Sequence, residues 1–144
     1  MTNKNKEIDW KIYVYANGYC EHCGEINVFL PYTCNAHTEG MEKYGHMEFQ
    51  SVLHMPPDEI SYLLNSLCRM VQEGSVFHSG DLVSGIYEDC SVRLDEHEFE
   101  GKKMLRAVIP DRNQRFPEDE QCDEIFKLQG LETEMLYLDG GTMS

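Results

Sequence analysis

Apolar residues recur along this chain with two periods, and each change of period marks an element. From Ile60 the apolar positions Leu63, Leu64, Leu67, Cys68 and Val71 fall three or four apart, the spacing of one helical face. Pro56-Pro57-Asp58-Glu59 precedes them. Proline suits a first helical turn, where its missing N–H costs nothing, and acidic side chains favour the positive end of the helix dipole. Gly74 supplies a stop. The pattern predicts a main helix over about 57–73.

Elsewhere the period falls to two. Trp10 to Ala16 alternates and is rich in aromatic and β-branched residues, which predicts a strand turned by Asn17-Gly18. Further strands are predicted over Ile26–Tyr32, Phe49–Met55, Leu82–Tyr87 and Cys90–Leu94, and a stronger one over Leu105–Ile109, closed by Pro110. A polar loop from Asp111 to Gln121 leads to a short helix over Asp123–Leu128 and a last strand over Glu134–Leu138. Residues 1–9 are expected to be loose, and 139–144 to form a flexible tail. No repeat or linker divides the remainder. Residues 10–138 therefore read as a single α+β domain, its mostly antiparallel or mixed β-sheet packed by one main helix and one short helix.

Charge narrows the partners. The 144 residues hold 12 Lys and Arg against 26 Asp and Glu, a formal net charge of −14. A protein that displaces counterions from phosphates needs the opposite sign, so nucleic acid is not an expected partner. The acidity fits a well-solvated surface, or an acidic inhibitor or decoy that occupies the basic groove of a nucleic-acid-binding protein, as some phage-encoded inhibitors do. No apolar run reaches the roughly 18–20 residues of a membrane span. The opening Met-Thr-Asn-Lys-Asn-Lys-Glu lacks the apolar stretch of a signal peptide. A cytoplasmic protein without a membrane partner is expected.

Six cysteines without a secretory signal argue against a disulfide framework. Cys68 and Cys90 read as small core residues. Cys20, Cys23, Cys34 and His37 form the pattern Cys-x2-Cys-x10-Cys-x2-His, which supplies four ligands for a tetrahedral structural zinc, a knuckle within residues 20–37. Plain thiols, or a redox-active Cys20–Cys23 pair, fit the same residues. Gly40 and Gly45 bracket a short polar stretch, and glycine there allows positive φ, which presents His46 on a bend. No Gly-x-Ser-x-Gly, P-loop or dinucleotide-binding glycine pattern is present.

Several motifs occur in a fixed order: His37-Thr38-Glu39-Gly40-Met41, Gly45-His46-Met47-Glu48, the helix from Pro57 to Gly74, Gly80-Asp81-Leu82-Val83-Ser84-Gly85, and Pro110-Asp111-Arg112-Asn113-Gln114-Arg115-Phe116-Pro117. This series, within residues 26–130, resembles a bacterial family known as domain of unknown function 4262. His37, Met47 and Gln114 stand where that family has Tyr, Pro and Gly. The resemblance implies positions for a site but no activity: His46, Glu48, Asp81, Asp111, Arg112 and Arg115. Their types suit a pocket for a small anionic, nucleotide-like or phosphorylated molecule, with arginine forks on the anion and His46 as a hydrogen-bonding group. The same loops suit a protein partner. A hydrolase reading gives His46, Asp81 and Asp111 catalytic roles, with or without a metal. A structural reading has the aspartates organising turns, His46 bonding a loop carbonyl, and the arginines pairing with Glu118–Glu120. Nothing local favours Cys34 or Cys122 as a nucleophile. The expectation is a binding protein rather than an enzyme.

Overall fold

The computed structural model describes residues 8–15, 18–19, 26–27 and 29–136. Helix α1 covers Pro57–Gln72, and the side chains it buries are the periodic set Ile60, Leu63, Leu64, Leu67, Cys68 and Val71. It ends where glycine allows it to. Gly74 takes φ 113°, its N–H donates to Val71 O (2.9 Å), and Ser75 N–H donates to Met70 O (2.9 Å). These bonds satisfy carbonyls that a helix end otherwise leaves open.

The strands are β1 (Lys11–Tyr15), β2 (Gly18–Tyr19), β3 (Ile26–Asn27), β4 (Thr33–Glu39), β5 (Glu48–Leu53), β6 (Leu82–Val83), β7 (Val92–Phe99) and β8 (Lys102–Val108). A short helix α2 covers Glu124–Lys127, with the Asp123 carboxylate accepting from Ile125 N–H at its start. Among the described residues β2 and β3 pair with each other, and the other six strands form one sheet in the order β1-β4-β5-β8-β7-β6. Every pairing in that sheet is antiparallel except β5 with β8. Parallel neighbours need a crossover, and α1 lies within the segment that returns the chain from β5 to β8. The result is the α+β architecture that the patterning predicts: a mixed sheet, one main helix and one short helix.

The two sheet faces differ. On one, α1 packs against Cys34, Ala36, Phe49, Leu94, Leu105 and Ala107 to form the main core. Trp10 seals its edge and donates from Nε1 to Asn65 Oδ1 (2.7 Å). The other face has a small apolar cluster, Phe29, Val52 and Leu136, beside a buried polar network around Arg106. Arg106 Nε donates to Gln50 Oε1 (2.8 Å), Nη1 to the carbonyls of Gln129 and Leu131, and Nη2 to Thr133 Oγ1 (3.0 Å). Burial pushes its pKa down to about 10, so the guanidinium is still a cation at neutral pH.

Several expectations change. β4 is absent from the predicted strands, because Thr-Cys-Asn-Ala-His-Thr-Glu contains no Val, Ile, Phe, Tyr or Trp, yet all of it except Glu39 is buried in the sheet. The strand predicted over Leu82–Tyr87 contracts to Leu82–Val83, whereas that over Cys90–Leu94 becomes Val92–Phe99. β7 turns into β8 through Glu100 (φ 53°) and Gly101 (φ 80°), the two-residue positive-φ turn that suits hairpin twist. The last predicted strand, Glu134–Leu138, is as far as Leu136 part of a 3-10 turn over Thr133–Leu136, and residues 137 and 138 lie outside the described residues: Thr133 and Leu136, three apart, are both buried, and Leu136 O accepts from Leu30 N–H (2.8 Å). The expected loose N-terminus (but for Ile8 and Asp9) and the tail at 139–144 lie outside the described residues.

Candidate functional site

His46 stands on the bend that glycine permits. A 3-10 turn over Met41–Tyr44 ends at Gly45, whose φ is 69°. The imidazole is occupied on both sides: Phe77 N–H donates to Nε2 (2.9 Å), and Nδ1 lies 2.9 Å from Met47 O. An amide N–H can only donate, so the ring proton is on Nδ1 and goes to that carbonyl. Neither nitrogen is left for proton transfer. Glu48 is equally committed, accepting from Thr38 Oγ1 (2.7 Å), Gly40 N–H (3.0 Å) and Met41 N–H (3.0 Å). Both residues line an open hollow of about 300 Å3 with Lys102 and Lys103.

Asp81 joins His46 on one loop. Its carboxylate accepts from His78 N–H (2.8 Å), the amide next to the one that His46 holds. Asp111 does not join them. One of its oxygens accepts from the amides of Asn113 and Arg115 (2.9 Å each), the other from that of Asp123 (2.9 Å). Burial raises its pKa, but these hydrogen bonds outweigh that effect and hold it below the ordinary value. Arg115 folds back, with Nε 3.5 Å from Asp111 Oδ2. Arg112 is exposed at the rim of a different cleft. His46 precedes the start of β5, whereas Asp111 follows the end of its parallel neighbour β8. The length of β5 separates them, roughly 20 Å at about 3.3 Å per residue. The single pocket expected around His46, Asp81 and Asp111 is therefore divided between two ends of the sheet.

The zinc pattern is divided too. Cys34 packs in the main core, where burial pushes its thiol up to about 11. His37 stacks between Tyr13 (5.6 Å), Tyr15 (5.7 Å) and Phe99 (5.2 Å). These rings lie on the opposite face, so Cys34 and His37 do not ligate one ion in this arrangement. Cys20 and Cys23 lie outside the described residues. Among the described residues no three His, Cys, Asp or Glu side chains come together to hold a metal.

The cleft that holds Arg112 is a different kind of place. β5 and β8 run parallel, so their carboxyl ends open on the same side, and a space of about 430 Å3 lies there. Leu53, Met55, Ile109, Pro110, Ile125 and Phe126 give it apolar walls. Tyr87 lines it from the loop after β6, its ring 6.1 Å from that of Tyr62. The Tyr87 hydroxyl is buried and has no hydrogen-bond partner among the described residues. Burial, with smaller contributions from nearby Glu59 and Cys90, raises its pKa to about 12. It is a protonated donor with nothing among the described residues to donate to.

The rim carries charge that is not internally matched. The carboxylates of Glu59 and Asp89 and the guanidinium of Arg112 line the cleft and make no ion pair with any described residue. A neighbouring hollow of about 480 Å3 shows the contrast. There Arg93 lies over Phe116 (4.5 Å) and bonds Asp95 (3.0 Å) and Glu118 (2.7 Å), so its charges satisfy one another. Cys90, read from the sequence as core, also borders the cleft. Burial and the neighbouring Asp89 raise its pKa, away from thiolate reactivity. Tyr87, Glu59 and Asp89 were not legible as site residues; the only signal was an aromatic residue set among acids in a short loop, Ile86-Tyr87-Glu88-Asp89-Cys90.

Comparisons of the chain with family models, with curated proteins and with solved structures found no match. No helix among the described residues is long and apolar enough to cross a membrane.

Proposed function

We propose that this chain is a small-molecule binding protein whose ligand occupies the cleft at the carboxyl ends of β5 and β8. One observation carries the reading: the hydroxyl of Tyr87, a residue that lines an apolar cleft, is buried without a hydrogen-bond partner among the described residues. An unmet buried donor costs about 1–3 kcal/mol, and a ligand acceptor placed there recovers that cost. The volume lies within the usual range of roughly 300–1,000 Å3 for ligand pockets, and apolar walls with few polar groups are their common chemistry. Of the residues singled out by the family resemblance, Asp111 and Arg112 border this cleft, while His46, Glu48 and Asp81 hold the turns at Gly40–Gly45 and Phe77–Asp81. No reaction is assigned to it.

Tyr87→Phe separates a binding role from a structural one because the two predict opposite signs. With no ligand present, loss of an unpartnered hydroxyl should leave stability unchanged or raise it by about 1 kcal/mol in urea unfolding. Fragments found by thermal shift, and mapped by NMR to the amides of Tyr87 and Ile109, should bind the variant about fivefold more weakly. Ile125→Trp, which fills the cleft mouth, should abolish their binding. A destabilised Tyr87→Phe protein, or fragments that map elsewhere, would overturn the proposal.

A further inference from the structure

The unpaired charges at the rim say which ligands that cleft accepts; the argument rests on the cleft being the binding site. Glu59 and Asp89 supply two carboxylates with no cationic partner among the described residues, against the one guanidinium of Arg112. Asp111 at the same wall adds no net charge, because the Arg115 guanidinium lies against it with Nε 3.5 Å from Oδ2. The positive N-terminus of α1 lies beside Glu59, but Asp58 and Glu59 already occupy its first turn. The chain as a whole carries −14, so the long-range field also draws cations and repels anions. Tyr87 and Phe126 line the cleft, and aromatic rings attract cations.

We infer that the ligand is an organic amine: an apolar, preferably aromatic body seated among Leu53, Ile109 and Phe126, and an ammonium group held between Glu59 and Asp89. This reverses the anionic ligand that the arginine-bearing loop suggests from sequence. Arg115 is turned inward onto Asp111, and Arg112 alone is outnumbered.

Three compounds that share one ring system but differ in charge test this at neutral pH: tryptamine (cation), 3-ethylindole (neutral) and indole-3-propionate (anion). Amide shifts of Tyr87 and Ile109 in NMR titrations give the affinities. Tryptamine should bind at least tenfold more tightly than indole-3-propionate, with 3-ethylindole between them. In the Glu59→Gln/Asp89→Asn double variant that preference should collapse to less than threefold, while 3-ethylindole binds as before. Both substitutions are at exposed positions, so the variant keeps the fold. Equal or tighter binding of indole-3-propionate, or a preference that survives in the double variant, overturns the amine assignment yet leaves the cleft as a binding site. If none of the three moves those amides, the amine assignment falls, and the cleft proposal falls with it when the fragment screen also finds nothing there.

Discussion

At Gly40, where φ is 129°, an added β-carbon would stand 2.9 Å from both Cα and Cβ of Trp10, so the backbone angle and the space each demand glycine. Gly40→Ala is expected to lower stability by about 3 kcal/mol, read as a shift in the urea midpoint without a change in slope. Asp111 offers a test of sign. Its pKa is depressed in the folded state, so its contribution is fully present above the ordinary carboxylate value of about 3.9 and is lost as pH falls through the lower folded value. Asp111→Asn should therefore be less stable than the parent at pH 7, and the gap should narrow as unfolding is repeated from pH 4 towards pH 2. A gap that stayed constant would mean that the loop does not depend on the carboxylate's charge. Gln114 takes φ 66°, a conformation open to glycine at little cost.

Segments whose periodicity agrees with their burial are legible in the sequence alone. α1 is the plainest, since every periodic apolar residue lies in the core and both punctuating signals act as expected. β5 and β8 were legible to within a few residues. β7 is longer than its pattern predicts because Asp95, Glu96 and Glu98 suppress its strand signal; in the sheet, Glu96 gains Lys103 across the ladder (3.5 Å) and Asp95 gains Arg93 (3.0 Å). β4 was invisible because its polar side chains are buried against partners distant in sequence, as in the bond from Gln50 Nε2 to Asn35 Oδ1 (3.0 Å). The turns over 128–136 depend on the same network. Arg106→Met spares the cost of burying a guanidinium but leaves Gln50 Oε1, Thr133 Oγ1 and two main-chain carbonyls without that donor. The balance should be a loss on the order of 3 kcal/mol, and hydrogen exchange should quicken in 128–136 while α1 keeps its protection. Equal acceleration everywhere would show that the segment is not a separable unit.

Taken as one body, the protein separates residues that look alike in sequence. Histidine, aspartate and arginine in glycine-bounded loops suggested a shared pocket, but the register of two parallel strands sends His46 and Asp111 to opposite ends. Sequence spacing holds no information about that distance, because it is set by which strands become neighbours. The cleft was hidden for the same reason: its walls come from β5, the loop after β6, the end of β8 and α2, which meet only once the sheet has formed. The Arg106 network carries this dependence into biosynthesis. Its acceptors at Gln129, Leu131 and Thr133 are translated more than twenty residues after the arginine. A nascent chain emerging from the ribosome therefore holds a guanidinium whose Nη1 and Nη2 lack these acceptors until the last of them has cleared the exit tunnel. Stable closure of that sheet is a late event, and chains truncated before Thr133 should be the ones that chaperones and proteases find.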